Sequence, residues 1–393
     1  MSREKPAEIL ALSGARAIPP LILVLFHFCE GHGYRGAKWF DLIAAKGYLW
    51  VEFFFALSGF ILVHVYLSRA SEMWRGRAYL QFLQARLARL HPLHLFMMIA
   101  ILGQLVVFRA LAEAGGYISI FDQPYHPILT WQTFIANLFL VQAWNLFNFL
   151  SWNGVAWFVS VEFLLCLIFP LYLLIARGRA VAGIATIFGG IAGLVALDLT
   201  SKHGLDLTFH NGIWRGMSAF AVGVGSASLY RAASTSGRRP LPEIAHSIVQ
   251  VALVAALLYA IWTTGWSHTH RDIYTVLPML GLVPVLAFDR GLVANLLKTR
   301  VPTKLGEWSY AIYMGQTFWL QFFRFAEQRI FPAPNSIVLG MRWLDLFWWI
   351  EPILLVAVCI GWGALLAAVV ERPASDFLRR LAARQGVQHA ASA

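Results

Sequence analysis

Five ionisable side chains stand in apolar surroundings, and their types define the chemistry open to this chain. His27 lies between Phe26 and Phe28 in LVLFHFCEGHG (23–33), and Arg16 stands upstream in LSGARAIPP (12–20). An imidazole titrates near neutrality and is suited to taking a proton from an alcohol. On one unbroken α-helix Arg16 and His27 would share a face about 16 Å apart. Pro19 and Pro20 disfavour helical geometry at Ile18 and remove backbone donors, so a kink or restart is expected there. Arg86 and Arg89, in LQARLARLHP (83–92), fall on one helical face. Guanidinium groups so placed can capture phosphate bidentately, or anchor a helix end at a membrane surface. Glu162, in AWFVSVEFLLC (156–166), needs a cation, a hydrogen-bond donor or a proton. It could orient His27, pair with an arginine or hold a substrate hydroxyl. The structural alternatives are an interhelical hydrogen bond for His27 and cohesion of the bundle for Glu162. Glu52, His64, Arg215 and Glu351 also lie within apolar runs.

Other chemistries lack their motifs. No Walker A sequence, dinucleotide-binding glycine fingerprint, nucleophile elbow or Cys/His metal spacing occurs. Cys29, Cys166 and Cys359 sit in apolar stretches without paired spacing, so buried thiols are expected, with neither disulfide nor metal.

The elements that position these residues must be membrane helices. The 393 residues are 59% hydrophobic and 13% charged, with mean hydropathy +0.63, whereas about a quarter of a soluble domain is charged. Net charge +11 then reads as basic loops on one membrane face rather than as nucleic-acid binding. A span needs about 20 apolar residues. Such runs lie near 8–29, 47–68, 90–108, 155–176, 180–199, 213–230, 244–264, 274–289, 305–327 and 344–370. An eleventh apolar piece, 131–144, reaches only about 21 Å as a helix, short of the ~30 Å hydrocarbon core.

Charge parity supports leaving that piece out. With ten spans, the clusters at Arg3/Lys5, Arg69–Arg89, Arg177/Arg179, Arg231/Arg238/Arg239, Arg290–Lys304 and Arg372–Arg384 fall on one side. Arg324, Arg329 and Arg342 lie on or near the other. The expected fold is an all-α polytopic bundle of about ten transmembrane helices, plus a short re-entrant or interfacial helix over 131–144. Residues 1–373 form the membrane domain and 374–393 a basic cytoplasmic tail. The opening MSREKPAEIL lacks an apolar core before a small-residue cleavage site, so no cleaved leader is expected.

Taken in order, these pieces resemble the integral-membrane acyltransferase-3 family, bacterial O-acyltransferases that decorate polysaccharides, lipopolysaccharide, nodulation factors and macrolides. The family's R-x10-H is matched by Arg16 and His27, its second span by WVEFFFALSGFIL (50–62), and its R-x-x-R-x-x-P by RLARLHP (86–92). WFVSVE (157–162), LGEWSYAIYMGQ (305–316) and VERPAS (370–375) match its later elements. Two departures stand out: Gln316 replaces a frequent histidine, and Pro19–Pro20 replace a small or apolar pair. The resemblance implies acetyl-CoA, or another acyl-CoA, as co-substrate, with no tightly bound cofactor and no metal. It implies Arg16, Arg86 and Arg89 on the CoA nucleotide or pyrophosphate, and His27 as base or acyl carrier. Glu162 would orient or steady the imidazole, while Ser58, Trp157 and Tyr310 would contact substrate. A carbohydrate or glycolipid acceptor, membrane lipids as surroundings and no nucleic acid follow, as does a bacterial cytoplasmic membrane with both termini inside.

The competing reading is a proton-coupled transporter or flippase of a glycan or lipid intermediate, with His27 and Glu162 as a proton relay. Against it, no inverted repeat is visible, and it offers no counterpart to RLARLHP with WFVSVE. The acceptor is expected to face 111–154, with Asp122, His126, Trp144 and Trp152.

Overall fold

A computed structural model describes residues 7–31, 41–114, 128–178, 180–236, 241–266, 270–330, 337–338 and 341–391. Asp122 and His126 lie outside the described residues. The first span is two helices, α1 (Leu10–Ala15) and α2 (Ile18–Gly31), broken at Arg16–Ala17. The restart places Pro19 and Pro20 in the first turn of α2, where a backbone N–H has no intrahelical partner to lose.

After α3 (Asp41–Ala44) come α4 (Trp50–Tyr66), α5 (Gly76–Ala114), α6 (Trp131–Leu138), α7 (Trp157–Ala176) and α8 (Ala180–Thr200). Then follow α9 (Gly212–Thr235), α10 (Glu243–Thr264), α11 (Asp272–Leu286), α12 (Leu292–Leu297) and α13 (Arg300–Ile330). A two-residue antiparallel pair, β1 (Ile337–Val338) with β2 (Met341–Arg342), precedes α14 (Trp343–Leu366) and α15 (Arg372–Ala391). All ten predicted spans are thus helical, and the protein is a polytopic helical membrane protein. Among the described residues, seven stretches are long and apolar enough to cross a bilayer: Leu10–Gly31, Gly47–Arg69, Gly76–Leu111, Gly154–Ala176, Ala180–Thr200, Glu243–Thr264 and Ile350–Leu381. α11 is apolar but has only 15 residues. α9 and α13 are long but carry more small and polar residues, several of them buried, such as Arg215 and Gln316.

The short helix α6 is too brief to cross. Its last carbonyls, on Asn137 and Leu138, accept hydrogen bonds from His94 (3.0 Å) and His91 (2.7 Å) of α5. The chain then turns back through Leu140, Asn145 and Trp152, all at positive φ (58°, 58° and 56°), which is uncommon for bulky residues. Ser160 clamps this return by donating to Leu140 O (2.8 Å) and accepting from Ala143 N (3.2 Å). The helix length and these bonds describe a short helix followed by a return of the chain toward α7.

α9 sits close to both α4 and α8 because glycines remove the side chains between them. A Cβ on Gly223 would lie 1.9 Å from Ala56 O, and one on Gly225 2.5 Å from Gly183 O. Such small-residue contacts let backbones approach where no hydrophobic drive exists between helices in lipid. Two buried ion pairs fasten the connection before α9. Arg215 pairs with Glu52 and donates to Leu207 O (2.9 Å) and Tyr48 O (2.6 Å). Asp272 accepts from Lys46 (2.8 Å), Tyr48 (2.7 Å) and Leu205 N (2.9 Å).

Candidate active site

Two cavities follow one axis through the bundle. A histidine cavity of about 770 Å³ is lined by His27, and an arginine cavity of about 100 Å³ by Arg16, Arg86 and Arg89. The order of residues along each helix shows the arrangement. On the first span Arg16 lines one cavity and Leu23, His27 and Glu30 the other; on α13 Ser309 and Tyr310 precede Thr317 and Leu320. α4 and α7 run the opposite way, with Val51 before Phe54 and Ser58, and Trp157 before Phe158 and Glu162. Among the described residues only Tyr313 lines both.

Tyr313 therefore stands at the boundary, 2% exposed. Its hydroxyl donates to Val155 O at 2.7 Å. The Phe158 ring lies 5.6 Å from it and the Phe54 ring 6.3 Å, and those two rings are 5.6 Å apart. Edge-to-face and tilted contacts at these distances are favourable, so the partition is a packed cluster.

His27 faces the larger cavity. Its Nδ1 lies 3.0 Å from Gln316 Oε1, and Gln316 Nε2 donates to Tyr313 O at 2.9 Å. Because the amide nitrogen is committed to a carbonyl, the amide oxygen faces the ring and can only accept. Nδ1 of His27 then carries the proton, and Nε2 keeps the lone pair. That is the tautomer a proton acceptor or nucleophile requires.

The arginine cavity collects most of the other predicted residues. Ser58 donates to Glu162 Oε1 at 2.5 Å, and Arg86 Nη2 lies 3.7 Å from the same oxygen. Tyr310 lines it with its ring, while its hydroxyl donates to Leu90 O at 2.5 Å. Glu162 as the orienting partner of His27 is corrected here. It lines the other cavity, where Arg86 and Ser58 compensate its charge, and Gln316 supplies the bond to the imidazole. Trp157 lines the histidine cavity under the Arg215 guanidinium, 5.5 Å from its ring.

Of the segment expected to face the acceptor, Asn148, Leu150 and Gly154 line the histidine cavity. Trp144 and Trp152 instead donate to Ser160 O (3.2 Å) and Thr133 Oγ1 (3.1 Å). His203, Asp206, Thr208 and His210, from the connection held by Asp272 and Arg215, also line it and were not singled out from the sequence. They belong to a short polar loop whose only sequence signal is that polarity between apolar runs.

Residues 9–370 match the profile of the acyltransferase-3 family, described as an acyltransferase domain. The chain belongs to the acyltransferase-3 family. It is similar to the acyltransferase MdmB of Streptomyces mycarofaciens, 26% identical over 373 residues that cover 86% of this chain and 83% of that protein. It is also 31% identical over 170 residues to protein 2 in the picA locus of Rhizobium radiobacter, covering 39% of this chain and 84% of that protein. No solved structure matches it significantly. Family membership decides for a membrane acyltransferase over a transporter, and places His27 and the arginine cavity within an acyltransferase domain.

Proposed function

We propose that this acyltransferase moves an acyl group, acetyl in the simplest case, from acyl-CoA to a hydroxyl of a sugar in a cell-surface polysaccharide, glycolipid or related glycoside. The observation that carries the reading is His27, held through Nδ1 by Gln316 with Nε2 left for the cavity. His27 Nε2 takes the acceptor hydroxyl proton as that oxygen attacks the thioester carbonyl. The C–S bond breaks, and the imidazolium returns the proton to the departing CoA sulfur.

The donor enters from the side of Arg16, Arg86 and Arg89, which face the cytoplasm with both termini in a bacterial inner membrane. The acceptor occupies the histidine cavity, whose volume falls within the ~300–1,000 Å³ of small-molecule sites. Phe26, Tyr48 and Trp157 offer ring faces there, and Glu30 and Asp206 offer hydroxyl acceptors. His27→Ala and His27→Gln test the reading. Each lowers acyl transfer by at least ~100-fold in protein that inserts and folds like the parent; normal product from either removes His27 from the reaction.

A further inference from the structure

The arginine cavity is small and its polar walls are unevenly satisfied. Its volume of about 100 Å³ lies well below the ~300 Å³ at which small-molecule sites begin, so a nucleotide has no room in it. Phe54, Leu57, Leu90 and Phe158 make much of the wall apolar. Among the described residues, two buried polar atoms of its lining have no hydrogen-bond partner: Glu162 Oε2, an acceptor, and Arg86 Nε, a donor. Glu162 is 4% exposed, and its other oxygen is already engaged by Ser58 and faces Arg86. Buried polar atoms left this way cost stability until a ligand meets them.

A phosphate answers only half of this demand. Its oxygens would accept from Arg86 Nε but meet Glu162 Oε2 as a like charge. A secondary amide answers both halves, since its N–H can donate to a carboxylate and its C=O can accept from a guanidinium. The pantetheine arm of CoA carries two secondary amides on a narrow chain.

We propose that Glu162 and Arg86 form an amide clamp for the pantetheine arm. The donor's phosphates then stay outside the cavity, while Arg16 and Arg89 complete its cationic wall. The clamp rests on the acyl-CoA donor proposed above. It seats the arm beside the Phe54, Phe158 and Tyr313 rings, beyond which His27 lies. Glu162 is thereby a donor-binding residue, and Arg86 recognises an amide carbonyl instead of a phosphate.

The test is equilibrium binding to the purified full-length protein in lipid nanodiscs. The probes are acetyl-CoA, two acetyl-CoA analogues in which one or the other pantetheine amide is an ester, and adenosine 3′,5′-bisphosphate. One ester analogue should bind the unaltered protein on the order of 10- to 100-fold more weakly than acetyl-CoA, the worth of a hydrogen bond to a charged acceptor. In Glu162→Gln that discrimination should shrink to about fivefold or less, and in Glu162→Leu it should vanish, with bisphosphate affinity held within about threefold. Should Glu162→Leu not fold, Glu162→Gln carries the comparison. The clamp is overturned, with the acyl-CoA donor left standing, if both ester analogues bind as tightly as acetyl-CoA. It is also overturned if Glu162→Gln keeps the full discrimination, or weakens the bisphosphate in parallel. A folded protein that binds no acetyl-CoA removes the donor and the clamp together.

Discussion

The imidazole of His27 and the side-chain amide of Gln316 are joined across the bundle, Nδ1 to Oε1 at 3.0 Å, from helices 289 positions apart in the chain. Gln316 is fully buried and anchored in turn to the carbonyl of Tyr313, so α13 helps fix the ring's orientation, together with the Leu23 carbonyl of its own helix.

Removing that anchor should slow chemistry without emptying the site. Gln316→Leu is expected to lower kcat on the order of 10- to 100-fold, as for a misaligned base, while KM for the acyl donor stays within about threefold. Gln316→Glu, which still accepts from Nδ1, should keep more of the activity. Steady-state assays on the two variants decide it: equal kcat in Gln316→Leu and the parent would make the contact merely structural.

The Tyr313 ring and hydroxyl do separable things. Tyr313→Phe keeps the partition but removes the hydroxyl's bond to Val155 O, a loss of about 1 kcal/mol visible as a lowered Tm. Tyr313→Ala merges the two cavities. The fraction of thioester lost to water should then rise severalfold relative to acyl delivered to the acceptor, as measured by free thiol release with and without acceptor.

Glu52 and Arg215 form a buried pair, 0% and 1% exposed. Glu52→Ala strands the guanidinium, and removing one partner of such a pair costs about 3–5 kcal/mol. The double change Glu52→Leu with Arg215→Met should recover part of that loss, because two apolar side chains leave no uncompensated charge. Thermal unfolding in detergent measures both, and additive losses would show that the pair is not coupled.

Gly223→Val tests the contact between α4 and α9. Its Cβ would fall 1.9 Å from Ala56 O, a backbone atom that cannot rotate aside. Forcing the helices apart should cost at least ~1–3 kcal/mol and sharply reduce folded yield in gel filtration, whereas Gly103→Ala, where the new methyl meets nothing within 4 Å, should not.

Local chemistry made some of this arrangement legible in the sequence. Apolar run length located the ten helical segments, and the prolines at 19 and 20 marked the break before α2, since a first turn accepts proline without losing a backbone hydrogen bond. The grouping of Arg16, Arg86 and Arg89 came from family motifs and is visible in one cavity. What the sequence hid was pairing between distant segments. Gln316 read as a departure from a histidine, and only the crossing of α2 and α13 shows that its amide meets His27. For Glu162 the sequence left His27, an arginine and a substrate hydroxyl open, because periodicity does not say which neighbour a buried carboxylate finds; α5 brings Arg86 to it. The polar loop 203–210 has no repeat or spacing to mark it, and its place at the histidine cavity depends on Asp272 and on the pairing of Arg215 with Glu52, both long-range in sequence.

The seal at Tyr313 bears on the energetics of the whole cell. Approaches that converge on one aromatic plug from opposite ends deny protons and small ions a continuous aqueous column. On the reaction proposed above, the activated acyl group passes that ring while the aqueous approaches on its two sides stay apart.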